Sequence, residues 1–183
     1  TKDMHLLMSS ERRQSIDTYS LLSRLPIKPH HIVADIGCGP GYFAIPIAKY
    51  VYGGKLYAFD VQEEMLDAVK KGMVEARLTN IQITRSKERT IPLENGHLDG
   101  ALIAFVLQEA TSPKALLNEI YRCLKPSGWL AILEWHKQDT DHGPPIERRI
   151  DPATMESMTR QIPFRGVVTR QLNQDQYMTL MKK

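Results

Sequence analysis

The sequence predicts a doubly wound α/β fold with a Rossmann-like sheet of seven strands, mostly parallel. The first observation is that strand-like and helix-like segments alternate five times, which favours a parallel sheet with helices on both faces. The second is that segment 100–107 is almost purely apolar, as expected of a strand buried on both faces. The third is that segments 167–172 and 176–181 flank a short polar turn, which predicts an antiparallel strand pair at the C-terminus.

The other elements follow from periodicity and from glycine and proline breaks. Apolar residues at helical spacing predict a first helix over 9–25, which Ser9 or Ser10 caps. Segment 126–128 predicts a turn, and 137–145 predicts a surface loop. The remaining strands are predicted at 31–36, 55–59, 81–84 and 129–135, and the remaining helices at 42–51, 62–78, 113–124 and 151–161.

Composition excludes several classes of protein. Of the 183 residues 42% are hydrophobic, which is enough for one core without a disulfide or metal staple. The 24 basic and 21 acidic residues leave a net charge of +3, so no nucleic-acid partner is expected. Two cysteines exclude a disulfide framework, and the six histidines lack metal-ligand spacing, so no metal is predicted. No apolar run is long enough to span a bilayer and no signal peptide is recognisable, which predicts a cytoplasmic protein.

A glycine-rich turn follows the first predicted strand. Gly37, Gly39 and Gly41 allow a sharp turn and leave bare backbone against a ligand. A dinucleotide-binding pattern would place its third glycine at position 42, where this chain has Tyr42. Asp35, two residues before the turn, would oppose a pyrophosphate but suits a ligand that bears an ammonium group. The turn therefore disfavours a dinucleotide.

A second carboxylate ends the next predicted strand. Asp60 is placed where a carboxylate accepts both hydroxyls of a ribose. Val61 and Met65 then offer an apolar wall for a purine ring, since a thioether packs well on an aromatic face. The two strand ends together predict a pocket for a nucleoside with a zwitterionic, unphosphorylated tail.

In combination, these motifs resemble the class I S-adenosylmethionine-dependent methyltransferases. The motif Asp-x-Gly-x-Gly-x-Gly at 35–41, with Asp60 after it, is similar to the family's cofactor motifs. The run Leu-Lys-Pro-Ser-Gly-Trp-Leu at 124–130 is similar to the family's turn before its fifth strand. The resemblance extends over 30–135 and is nearest to the branch that contains the ubiquinone and menaquinone C-methyltransferases. It implies that S-adenosyl-L-methionine is the cofactor and that a small molecule accepts the methyl group.

The resemblance also implies a single methyltransferase domain over 1–183. Its N-terminal helix, 1–27, is expected to cover the site, and its cofactor-binding core is 30–135. The segment 136–183 is expected to supply a lid, a helix and the terminal strands. Within it, the proline-containing run 143–149 is either part of the lid or a stiff connection.

The family's cofactor contacts transfer to this chain by position. Asp35 is expected near the ammonium group and Asp60 on the ribose, with the methionine part against the glycine turn. Lys87 stands where relatives have an acidic residue that binds the adenine, so Ser86 or the backbone of Lys87 and Glu88 would replace it. The full set of expected cofactor-binding residues is Asp35, Gly37, Cys38, Gly39, Gly41, Asp60, Val61, Met65, Ser86, Lys87, Glu88, Ala104 and Phe105.

Fewer residues are expected at the acceptor. They are Tyr19 in the N-terminal helix, Gln108 after the fourth strand, and Glu134 and His136 at the end of the fifth. Many relatives have histidine at the position of Gln108, so no residue is assigned as a general base. A sulfonium methyl group is already activated, and orientation alone supplies much of the acceleration.

Two other functions stay open on the residues alone. An NAD-dependent oxidoreductase would also place Asp60 on a ribose, but Tyr42, Asp35 and the lack of a Tyr-x-x-x-Lys pair disfavour it. A non-catalytic regulatory or partner subunit that binds S-adenosylmethionine is favoured by Lys87 and Gln108, which replace more familiar residues.

Overall fold

The computed structural model describes residues 16–183. These residues fall into two compact units, 16–87 and 88–183, which are described separately below. The assignment of the whole chain to a single domain stays a prediction. None of the helices among the described residues has the length and the apolar run that a membrane crossing needs.

The first unit begins with a short helix, α1, at Thr18–Ser23. Asp17 caps this helix, because its carboxylate accepts the backbone N–H of Tyr19 at 3.0 Å. A continuous helix over 9–25 is therefore wrong at Asp17, whose backbone is extended. The predicted caps Ser9 and Ser10 lie outside the described residues.

Three parallel strands form the sheet of the first unit. In spatial order they are β3 at Ile81–Arg85, β2 at Lys55–Asp60 and β1 at Ile32–Ile36. Two helices connect them, α2 at Ala44–Tyr50 and α3 at Glu63–Glu75. α3 buries Met65, Leu66 and Val69 on one side, as an amphipathic helix does, whereas Val74 is 70% exposed. Because the strands are parallel, Asp35 in β1 and Asp60 at the end of β2 lie at the same edge of this sheet.

Four strands form the sheet of the second unit. In spatial order they are β4 at Leu98–Ala104, β5 at Leu124–Trp135, β7 at Gln176–Lys182 and β6 at Arg165–Gln171. β4 and β5 are parallel, whereas β7 is antiparallel to both β5 and β6. The helices α4, Pro113–Cys123, and α5, Pro152–Arg160, connect these strands. The parallel strands of the first unit and the mixed sheet of the second, seven strands in total, match the predicted fold, and its antiparallel C-terminal pair is confirmed.

The largest differences from the predicted strand bounds are at the end of β4 and the start of β5. β4 ends at Ala104 rather than 107, because Phe105 has a left-handed φ of 61° and a 3₁₀ turn follows at Leu107–Glu109. β5 includes the predicted turn at 126–128, where Ser127 has a φ of 65°. Single left-handed residues of this kind change no hydrophobic period, so the sequence pattern does not show them.

Candidate functional site

The carboxylate of Asp60 accepts hydrogen bonds from two backbone segments of the first unit. It is 8% exposed, and it accepts the backbone N–H of Gly39 at 2.9 Å and that of Gln62 at 3.0 Å. Each carboxylate oxygen therefore holds one backbone donor. Since a carboxylate oxygen has two lone pairs, each oxygen keeps capacity for one further donor such as a ribose hydroxyl.

The glycine turn is tied to the same strand end. The backbone N–H groups of Gly37 and Cys38 both donate to the carbonyl of Phe59, at 2.8 and 2.9 Å. Gly39 has a φ of +51°, and a Cβ added there would meet no atom within 4 Å. A bare, left-handed backbone beside open space leaves room for a ligand next to Asp60.

An adenosyl amino acid fits this set of groups. Asp60 offers two acceptor oxygens for a ribose, and Gly39 removes the side chain that would fill the adjoining space. Asp35, 1% exposed in β1, adds a second carboxylate at the same edge, which suits an ammonium group. The residues present are therefore compatible with S-adenosylmethionine.

Both acids act on the thiol of Cys38. Burial raises the pKa of the Cys38 thiol well above its ordinary range, and the carboxylates of Asp35 and Asp60 raise it further. A thiol in this setting stays protonated near neutral pH, so Cys38 is a poor nucleophile.

The two residues predicted to pack against the adenine differ in exposure. Val61 is 44% exposed, whereas Met65 is 5% exposed and packs mostly into the core of the first unit. Ser86 donates its backbone N–H to the Asp60 carbonyl at 3.0 Å, and Lys87 beside it is exposed. The contact of these residues with an adenine stays a prediction.

Tyr19 lines a cavity of the first unit that does not include the two predicted cofactor-binding acids. Its side chain is 65% exposed and lines a cavity of about 710 Å³ together with residues of the glycine turn, including Gly41 and Tyr42. The hydroxyl of Tyr42 donates to the carbonyl of Ile16, which ties the chain before α1 to the turn. Neither Asp35 nor Asp60 lines this cavity.

A second group of predicted residues surrounds the ends of β4 and β5 in the second unit. Phe105 donates its backbone N–H to the carbonyl of Leu133 at 2.9 Å. The carboxyl group of Glu134, the next residue of β5, accepts the N–H of Leu107 at 3.1 Å. Gln108 folds back on this turn, with its amide donating to the carbonyl of Phe105 at 3.4 Å. The structure thus brings together Phe105, Gln108 and Glu134.

Glu134 is fully buried, and its carboxyl group has a raised pKa. Burial raises the pKa of Glu134 to about 8, although the N–H groups of Gln108 and Leu107 oppose that rise. One carboxyl oxygen, Oε2, has no hydrogen-bond partner among the described residues. Near neutral pH the group is therefore mostly a neutral carboxylic acid.

Glu88 and His136, which the sequence predicts to contact the cofactor and the acceptor, each contact another side chain of the second unit. Glu88 is exposed, and its carboxylate accepts the backbone N–H and, at 2.8 Å, the hydroxyl of Thr111, which lowers the pKa of Glu88. His136 follows β5, and its ring packs on Tyr177 with 5.1 Å between the centroids. The role of either residue in binding stays a prediction.

Sequence reasoning missed Arg149. This arginine is 5% exposed and holds the loop after β5 by hydrogen bonds to five of its residues. The only sequence signal is the unusual run 143–149, in which prolines adjoin charged residues. Nothing in that run distinguishes the buried Arg149 from its exposed neighbour Arg148.

Comparisons with known proteins show the family of this chain. A family model described as a methyltransferase domain matches residues 34–132. The chain is 29% identical over 103 residues to the demethylmenaquinone methyltransferase of Lactococcus lactis, covering 56% of this chain and 41% of that protein. It spans less than half the length of the first curated relatives that it matches.

Solved structures show the same likeness. A crystal structure of a SAM-dependent methyltransferase from Aquifex aeolicus has a TM-score of 0.93 and 28% identity, and the match covers 99% of this chain and 97% of that one. The phosphoethanolamine N-methyltransferase 2 of Haemonchus contortus, in complex with S-adenosyl-L-methionine, shares the fold at a TM-score of 0.77 and 14% identity, over 91% of this chain and 52% of that one. The chain therefore belongs to the class I methyltransferases, whose cofactor is S-adenosyl-L-methionine.

Proposed function

We propose that this chain transfers a methyl group from S-adenosyl-L-methionine to a small-molecule acceptor. The observation that carries the proposal is the bonding of Asp60 and the glycine turn. One buried carboxylate accepts the backbone N–H of Gly39, and a Cβ added at Gly39 would meet no atom within 4 Å. That combination suits a nucleoside with an amino-acid tail better than a phosphorylated one.

In this proposal the residues of the first unit bind the cofactor. Asp60 accepts the ribose hydroxyls, Asp35 attracts the ammonium group, and the backbone at Gly39 adjoins the methionine part. The other residues predicted to contact the cofactor are Gly37, Cys38, Gly41, Val61, Met65, Ser86 and Lys87 of the first unit, and Glu88, Ala104 and Phe105 of the second.

When bound, the cofactor supplies a methyl group whose bond to sulfur breaks as the acceptor atom bonds to the carbon, leaving S-adenosylhomocysteine. The residues of this chain bind and orient the two molecules, and orientation is a large part of such catalysis. We assign no general base, since Gln108 cannot take up a proton near neutral pH.

The acceptor class is proposed from a curated relative of the chain. The relative from Lactococcus lactis is named for demethylmenaquinone, which is a small molecule. Tyr19, Gln108, Glu134 and His136 are the residues that we expect to contact the acceptor. We also expect the protein to act in the cytoplasm, which fractionation of the source cells would test.

Two measurements test the proposal. Isothermal titration with S-adenosylhomocysteine and, separately, NAD should show binding of the first ligand only, and binding of NAD alone would contradict the assignment. Transfer of a labelled methyl group should then be measured with a panel of quinols, phenols and amines. If no member is methylated although S-adenosylhomocysteine binds, the non-catalytic partner subunit becomes the better interpretation. The variant Asp60→Ala is the control, because it should weaken both the binding of S-adenosylhomocysteine and the transfer of the methyl group.

A further inference from the structure

Two half-buried aromatic rings stand where β4 and β5 end. Phe105 directly follows β4 and Trp135 is the last residue of β5. Their ring centroids are 5.9 Å apart at an angle of 47°, within the range of a favourable aromatic pair. Both side chains keep part of their surface exposed. They therefore form a small continuous apolar surface at the strand ends.

Three further residues lie close to the indole of Trp135. The Arg149 guanidinium carbon lies 5.2 Å from the ring centroid, which is a cation–π distance. The His142 ring meets the indole edge-on, with 5.6 Å between centroids. Gly143, with a φ of +99°, comes so close that an added Cβ would lie 3.1 Å from the indole. The ring therefore has little freedom to turn.

Arg149 fixes the loop that surrounds this ring. Its guanidinium donates hydrogen bonds of 2.6 to 3.4 Å to five oxygen atoms, those of His136, Gln138, Thr140, His142 and Pro144. Four of the five are backbone carbonyls, which a longer or shorter side chain would not reach together. The buried guanidinium thus supplies hydrogen-bond donors to the carbonyl groups of a loop that forms neither helix nor strand.

We propose that Arg149 is a positioning residue for the methyl acceptor: it holds the loop 136–144 and the Trp135 indole so that Trp135 and Phe105 form a preformed wall against which the acceptor binds. The inference rests on the proposed methyl transfer. Of the two roles that the sequence left open for run 143–149, a lid or a stiff connection, it favours the stiff connection. Pre-organisation of this kind lowers the entropy lost on binding.

The test follows the two tryptophans by fluorine NMR of protein labelled with 5-fluorotryptophan. Trp129 is 2% exposed and serves as the internal reference, and Trp135→Phe assigns the two resonances. The probe is 2-naphthol, a planar aromatic molecule, compared with cyclohexanol. In the wild-type protein 2-naphthol should shift the Trp135 resonance alone, and cyclohexanol should shift neither resonance.

Arg149→Ala should broaden or shift the Trp135 resonance and leave that of Trp129 in place. It should raise the dissociation constant of 2-naphthol about tenfold without changing that of S-adenosylhomocysteine. Arg160→Ala is the matched control, since Arg160 is an exposed arginine paired with Glu156 at 2.7 Å, and it should change neither constant.

If Arg149→Ala unfolds the protein, the variant Gly143→Ala tests the same inference. The added Cβ would lie 3.1 Å from the Trp135 ring and 3.2 Å from the Arg149 guanidinium, which keeps its charge. This variant should therefore also displace the Trp135 resonance and weaken 2-naphthol binding. An unchanged Trp135 resonance with unchanged 2-naphthol binding in these variants overturns the inference, as does equal binding of cyclohexanol. A protein that fails to bind S-adenosylhomocysteine instead contradicts the proposed function, so the two failures are distinguishable.

Discussion

The backbone N–H of Gly39 donates a 2.9 Å hydrogen bond to the carboxylate of Asp60, although the two residues are 21 positions apart. This bond joins the turn after β1 to the end of β2, where the Gly37 and Cys38 N–H groups also bond to Phe59. The groups that we propose to bind the methionine part and the ribose are thus held in one geometry. A pre-organised site of this kind spends little binding energy on ordering itself.

The variant Asp60→Ala tests the ribose contact. We expect S-adenosylhomocysteine to bind more weakly by about 1–3 kcal/mol, because charge-assisted hydrogen bonds to the ribose are lost. Isothermal titration measures the change. Asp67→Ala is the control, since Asp67 lies on the exposed face of α3 and pairs with Lys70. An equal affinity in wild type and Asp60→Ala would contradict the assignment.

Gly39→Ala tests whether the open space beside the turn is a ligand site. An alanine at a positive φ costs about 1 kcal/mol in stability. Its methyl group would also enter the space next to Asp60, so we expect affinity for S-adenosylhomocysteine to fall about tenfold or more, measured by titration.

Gly166→Ala is the matched control for this variant. Gly166 has a φ of +59° and, like Gly39, meets no atom within 4 Å of an added Cβ. Both variants should lose similar stability on urea unfolding, but Gly166→Ala should bind S-adenosylhomocysteine as the wild type does. Equal affinity in all three proteins would place the ligand elsewhere.

Glu134→Gln tests the neutral carboxylic acid. Since the folded-state pKa of Glu134 is about 8, well above the ordinary value for glutamate, its stabilising contribution is complete at pH 4 and is lost as pH rises to about 8. Glutamine keeps the acceptor for the Leu107 N–H but does not ionise. We therefore expect the decline in unfolding free energy between pH 5 and pH 8 to shrink by roughly 1–3 kcal/mol in the variant.

Urea unfolding across this pH range measures the effect. Glu156→Gln is the control, because Glu156 is exposed and should leave the pH dependence of stability unchanged. If Glu134→Gln and wild type decline in parallel, Glu134 is ionised in the folded protein at neutral pH.

Gly54→Ala tests a close backbone approach that positions β2. A Cβ at Gly54 would lie 2.1 Å from the carbonyl oxygen of His31, so the start of β1 or of β2 would have to shift. We expect a loss of about 1–3 kcal/mol on urea unfolding. Gly53→Ala should change stability by less than about 0.5 kcal/mol, because its nearest contact, Pro29 O, is at an ordinary 3.6 Å. Similar losses in both variants would contradict this account.

Much of the fold and part of the candidate site were predictable from local sequence signals. The alternation of strands and helices, the glycine turn and the acidic residue that ends β2 each lie within a few residues of chain. Side-chain period and backbone freedom act over that distance, so the pattern alone predicts Asp60 at a strand end beside a bare turn.

Other features depend on contacts between distant parts of the chain. The left-handed backbone at Phe105 ends β4 early, and the tie from Glu134 to Leu107 joins residues 27 positions apart. Whether an arginine is exposed, like Arg148, or buried among five oxygen atoms, like Arg149, depends on how the loop packs on Trp135. Local patterns along the chain therefore predict the order of the strands and helices and the residue types in the glycine turn. Which polar groups are buried depends on the folded arrangement, because desolvation and hydrogen bonding act through space and leave no period along the chain.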